Sequence, residues 1–170
     1  KNIIIIIVAL ALIPVICSGE IFPKTGTAGL QFLKIGVDAR AQGMAEAYTA
    51  VTNDISSIYW NPAGLALSEK KQVMFSHTNW VADIYHEFFA FSYNHDLGTF
   101  ALSATYLTTG YMEVTDEETF GPTGEEFYNY DLAVGLSYAN SYTDKFAFGF
   151  TAKYLREVLD EYDVNGFSVD

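Results

Sequence analysis

The amino-acid sequence predicts an all-β chain: the N-terminal part of a transmembrane, antiparallel, up-and-down β-barrel with a short helical and looped N-terminal plug. Three observations predict it. From Val73 onward, side chains alternate with a period of two between large apolar and small residues. The connections between the alternating segments are by turns short and long. A segment with the order of an export signal opens the chain.

The signal is placed at residues 1–19. Lys1 precedes the uncharged apolar run Ile3 to Ile13, then Pro14 and the small-residue stretch Cys17-Ser18-Gly19. That order is the one a cleaved secretory signal shows, and the run falls short of the roughly 20 apolar residues a spanning helix needs. Cys17 ends an apolar run, as in a lipoprotein signal, but Ile16 stands where such a signal requires a small side chain. Cys17 is the single cysteine, so the exported chain is expected to have no disulfide and no thiolate metal site.

Residues 20–70 are read as the plug. They are rich in Gly and Ala and show no sustained alternation. Asp54 is expected to cap a helical turn through Ile55 to Tyr59, because a carboxylate there accepts from the free amides that follow. Pro62 is expected to end that turn by pushing Asn61 out of the α region, and Gly64 to supply a positive φ for the reversal. Asn61, Pro62, Ala63 and Gly64 are therefore taken as the plug turn. Arg40, with Glu46 and Asp54, is taken as the anchor of the plug to the barrel wall.

Residues 71–170 are read as the first five to six strands. In Thr99 to Thr108, Phe100, Leu102, Ala104 and Tyr106 fall on one face, and Thr99, Ala101, Ser103, Thr105 and Leu107 on the other. Tyr130 to Asn140 and Phe146 to Tyr154 repeat the pattern. Glu87 to His95 groups Phe89, Phe91 and Tyr93, Val73 to Trp80 is the weakest segment, and a sixth begins near Gly166. Asp96-Leu97-Gly98 makes a tight reversal; a two-residue loop at Leu97-Gly98 would pair Phe91 with Ala104 and Tyr93 with Leu102. Ser141 to Lys145 is short, whereas Gly110 to Asn129 and the stretch after Tyr154 are expected to be long acidic loops. Tight inner turns and long outer loops put the plug on the periplasmic side.

A soluble exported β-sandwich also alternates, but its outer face needs Lys, Glu, Arg and Gln to be wetted. Here the second face carries Ala, Gly, Ser and Thr, and Asp131 and Lys153 are the charged residues on it in the last two complete strands. Both are expected to face the lumen, paired with each other, paired with Arg40 or Glu46, or separately hydrated. Tyr93, Tyr106, Tyr130, Tyr138 and Tyr154 stand where aromatic girdles would lie. In hydrocarbon an open sheet edge leaves unpaired backbone groups, so closing strands are expected beyond Asp170.

Net charge is −12 with a pI near 4.4, which leaves no basic footprint for nucleic acid. No enzyme is expected. His77, His86 and His95 are nine residues apart, not spaced as a metal triad. Ser56-Ser57 and Ser76 have no nucleophile-elbow context. Neither a metal nor a cofactor is expected.

The stretch Ala28 to Val37, then Ala39-Arg40-Ala41-Gln42-Gly43-Met44-Ala45-Glu46-Ala47-Tyr48, then Asn53-Asp54 and Ile58-Tyr59-Trp60-Asn61-Pro62-Ala63-Gly64-Leu65 resembles the N-terminus of the PorV/PorQ group. That group lies within the wider FadL-like outer-membrane transporters. The resemblance implies a barrel of about fourteen strands with the N-terminal segment folded into the lumen as a hatch. Asp38 departs from it, standing where a small residue, often Gly, is expected. The FadL-like side implies passive transport of hydrophobic small molecules, with membrane lipid and a hydrophobic ligand as partners. The PorV-like alternative is a type IX secretion component that binds the C-terminal signal domains of secreted cargo or other secretion-system subunits. Either role places the chain in the bacterial outer membrane.

Overall fold

A computed structural model describes residues 29–170 apart from 69, 117–120, 144 and 161, so the expected signal segment lies outside the described residues. Six strands form one antiparallel sheet in sequence order. They are β1 (Gln72–Asn79), β2 (Tyr85–His95), β3 (Gly98–Asp116), β4 (Gly121–Thr143), β5 (Phe146–Leu159) and β6 (Tyr162–Val169). All six lie in a single sheet and not in the two packed sheets of a sandwich.

The expected faces are the observed ones. Leu136 is 62% exposed while its neighbour Ser137 is 1% exposed. Phe100, Leu102, Tyr106, Val134, Phe148, Phe150 and Tyr154 share the exposed outward side, whereas Ala101, Ser103, Thr105, Ala133, Ala139, Thr151 and Leu155 are buried on the inward side. Such a division follows from the strand period, because adjacent Cβ atoms leave opposite faces of the pleat. One outward aromatic row runs through Phe100, Tyr138 and Phe150, with ring centroids 5.1 and 5.9 Å apart. A second joins Tyr106 to Tyr130 at 5.9 Å. Six residues of strand separate Phe100 from Tyr106, about 20 Å along the chain. That is close to the apolar band of roughly 25 Å in outer-membrane barrels.

Three sequence expectations are corrected. The β2–β3 turn uses Asp96 and Leu97, so Phe91 lies opposite Leu102 and Tyr93 opposite Phe100. The pairing differs from the expected one by two residues, which preserves every face. Gly98 takes the positive φ, +126°, and does so as the first residue of β3. The expected loop Gly110 to Asn129 is largely strand: β3 and β4 stay paired out to Asp116 and Gly121. Likewise β6 starts at Tyr162 and not near Gly166, with Leu159 opposite Tyr162. In both places acidic residues are carried by a hairpin whose Tyr, Val and Thr neighbours suit a pleated backbone.

The plug segment lies against the inner face. It contains short helical stretches at Gln31–Lys34, Ala39–Gly43, Ser57–Trp60 and Pro62–Leu67. Val37, Ile55, Ile58 and Leu65 pack with Phe88, Ala90, Ala101 and Ala139 of the wall, while Phe32 packs with Ala133 and Leu155 in a second cluster. Small wall residues let these side chains approach the sheet closely, so the apolar area removed from water is shared by plug and barrel.

Asp38 precedes the first α-helical turn with φ +77° and ψ +122°, and its carboxylate accepts a hydrogen bond from the Arg40 amide at 3.2 Å. An L-residue in the left-handed half of the map carries about 1 to 2 kcal/mol of strain, whereas Gly in place of a capping residue loses only a few tenths. Asp38→Gly is therefore expected to raise stability by about 1 kcal/mol, read as a higher denaturant midpoint in detergent. A lower midpoint would contradict the strain.

Candidate functional site: the plug turn on the inner wall

The turn Asn61 to Gly64 is built by three local devices. Asn61 is extended, at φ −162°, and its side-chain oxygen accepts from the Ala63 amide at 3.3 Å. Its side-chain amide donates to the Thr49 carbonyl at 3.1 Å. Pro62 follows at the first helical position, where its missing N–H costs nothing and its fixed φ is already suited. Gly64 is not one of the described residues with positive φ, so the expected reversal by a left-handed glycine is corrected. It is close approach that calls for glycine there: a Cβ on Gly64 would lie 2.6 Å from the Thr52 hydroxyl and 2.8 Å from the Thr52 carbonyl oxygen.

The wall meets this turn at Gly149 of β5. A Cβ on Gly149 would stand 2.5 Å from the Pro62 carbonyl carbon and 2.6 Å from the Ala63 nitrogen. The plug backbone thus rests directly on the strand backbone, and Leu65, fully buried, follows into the first cluster. Nothing in the sequence near Phe148-Gly149-Phe150 marked this seat except a glycine on the inward parity.

Other contacts close the plug on itself and on the wall. The Tyr59 hydroxyl donates toward the carbonyls of Leu33 and Ile35, at 2.7 and 2.9 Å. Burial, with the Glu46 carboxylate adding to it, pushes its phenol up to about 12, so it remains a donor across physiological pH. Trp60 donates to the Val37 carbonyl at 3.2 Å. The Leu30 amide donates to Glu157 of β5 at 2.6 Å, and the Asn94 side-chain amide donates to the Ser68 carbonyl.

The expected anchors are placed differently. Arg40 turns into the plug, where it donates to the Tyr48 hydroxyl at 3.1 Å and stands 3.6 Å from Asp54. Tyr48 in turn donates to Asp54 at 3.1 Å. Asp54 also accepts from the Ser56 amide at 3.0 Å and from the Ser56 hydroxyl, at the entry to the helical turn Ser57–Trp60. Glu46 accepts from Gln42 at 3.4 Å. This cluster organises the plug internally; among the residues that meet the wall are Leu30, Phe32, Ile58, Tyr59, Pro62 and Leu65.

Asp131 and Lys153 do not pair. Asp131 lies opposite Glu157, whereas Lys153 lies opposite Gly135, four positions along β4, and its ammonium pairs with Asp170. On the outward side His77 and Glu87, directly opposite each other, are joined at 2.6 Å. Among the described residues no group of three or more His, Cys, Asp or Glu side chains is arranged to hold a metal ion.

The profile of the family described as "Type IX secretion system protein PorV" matches residues 22–169. No curated protein matches the chain.

Because the contacts at Gly149 are to backbone atoms, which cannot swing aside, Gly149→Ala is expected to cost about 1 to 3 kcal/mol. The expected readouts are a lower unfolding midpoint in detergent and several-fold faster tryptic cleavage of the plug after Lys34 or Arg40. Unchanged midpoint and cleavage would show that the turn does not sit on β5.

Proposed function

This chain belongs to the PorV family of type IX secretion system proteins, and from that membership we propose that it is an outer-membrane component of that system. In this reading it holds secreted cargo by the C-terminal signal domain at the outer ends of its strands. The observation that carries the proposal is the family match, which spans the plug and all six strands. The outward Phe, Leu and Val side chains are suited to lipid tails, and the tyrosine rows to the headgroup layers. An N-terminal export signal would bring the chain to that membrane.

Passive transport of hydrophobic molecules, the first reading of the sequence, has less behind it. The family match favours secretion. The plug also rests backbone to backbone on β5 and is buried in two clusters, an arrangement suited to a lumen that stays shut. The working surface is then the outside of the barrel.

The test is retention of a purified C-terminal signal domain by the full chain in detergent. Co-elution of the two is expected. Failure to co-elute, together with uptake of labelled fatty acid into proteoliposomes faster than into empty ones, would return the assignment to transport.

A further inference from the structure

The β3–β4 hairpin outgrows the sheet. The pairing of β3 with β2 ends at Thr108 opposite Tyr85, and that of β4 with β5 ends at Asn129 opposite Leu159. From Tyr111 opposite Tyr128 to Asp116 opposite Gly121, β3 and β4 pair with each other and with no other described strand. A ribbon of two strands is at best marginally stable in water. A register shift between Thr108 and Tyr111, with Gly110 at φ +69°, marks a bulge where the ribbon leaves the sheet. Bulges re-aim the strand that carries them.

The outward face of the ribbon continues the aromatic row. Tyr128 stacks on Tyr130 at 6.0 Å and Tyr111 lies 5.8 Å from Tyr128. Tyr111 is 76% exposed, one rung beyond the Tyr106–Tyr130 row. The next described rung on this face sets Glu113 directly opposite Glu126. Like charges so placed lower the stability of a strand pair, and among the described residues no ion pair relieves them. The stretch 109–129 contains Glu113, Asp116, Glu117, Glu118, Glu125 and Glu126 and no Lys, Arg or His.

Exposed Tyr rings beside uncompensated carboxylates are complementary to Arg and Lys side chains, which stack on the rings and pair with the acids. Tyr is also among the residue types that contribute most to protein interfaces. Anionic lipid headgroups would be repelled by the same carboxylates. We infer that the outward face of the β3–β4 ribbon, with Tyr111, Tyr128, Glu113 and Glu126 at its centre, is the docking surface for cargo, and that the cargo meets it with a basic face. This rests on the cargo reading above and adds to it the place of contact and the charge of the partner.

The probe is a purified C-terminal signal domain titrated onto the full chain in detergent. Glu113→Lys with Glu126→Lys is expected to weaken binding at least tenfold, and Tyr111→Ala with Tyr128→Ala by a similar factor. Glu113→Gln with Glu126→Gln removes the repulsion within the ribbon, so it is expected to leave the protein as stable or more so while still weakening binding. Asp96→Lys, in the turn at the other end of the strands, is expected to bind as wild type. Exchanging lysines of the signal domain for glutamates is expected to restore binding to the reversed ribbon. If the wild type binds and every ribbon variant binds equally well, cargo docks elsewhere: this inference falls while the cargo reading stands. Binding abolished by EDTA would mark a metal-bridged contact and also overturn it. A wild type that binds no signal domain would remove the cargo reading and this inference together.

Discussion

A strand has two faces, and in this chain each face must satisfy a different neighbour. Between the two tyrosine rows the outward residues of β3, β4 and β5 are mostly large and apolar, and the inward ones are Ala, Gly, Ser and Thr with few exceptions. The two requirements are linked by the pleat: a one-residue slip would turn Leu136 inward and Ser137 outward. Pairing from β1 to β6 in sequence order propagates that phase across the sheet. One inward polar pair is satisfied in place, where the Ser137 and Thr151 hydroxyls meet at 2.6 Å in a buried cross-strand bond.

Small inward residues decide how the plug is held. They leave a shallow wall against which backbone can pack, and Gly149 carries this furthest. The plug is attached mainly by apolar packing in two clusters, with a few side-chain hydrogen bonds to the wall at Glu157 and Asn94. The Arg40–Asp54 pair contributes little to stability as an ion pair, since both side chains are partly exposed and solvent screens them. Its value is geometric, because it holds Tyr48 and the entry of the helical turn Ser57–Trp60 together. A plug held by contact area distributed over several strands has no single latch to release.

The strand faces were legible in the sequence because a period of two has a strong signature and does not depend on register. The turn residues of the β2–β3 hairpin were not, since Asp96-Leu97-Gly98 offers two positions for the loop and the choice depends on how β3 packs beside Ala139. The acidic stretches read as loops because Glu, Gly and Pro are poor strand formers; the pairing partner, not the residue itself, made Glu126 a strand residue. Asn61 and Pro62 were identified as a turn from local chemistry, which a sequence records directly. Arg40 is expected at the wall, whereas among the described residues it bonds to Tyr48 and stands beside Asp54, because a cation in the plug has two kinds of partner and the sequence does not say which are nearer. Gly149 and Glu157 went unnoticed for the same reason: their partners, Pro62 and Leu30, are far away in the chain.

The most direct measurement of the two-faced wall is a nitroxide scan of β4 in lipid bilayers, with single cysteines at Leu132, Ala133, Val134, Leu136, Ser137, Tyr138 and Ala139. Collision with dissolved oxygen, which concentrates in hydrocarbon, is expected to be high at Leu132, Val134, Leu136 and Tyr138 and low at Ala133, Ser137 and Ala139. A flat profile, or one with the opposite phase, would show that these even-numbered side chains do not face lipid.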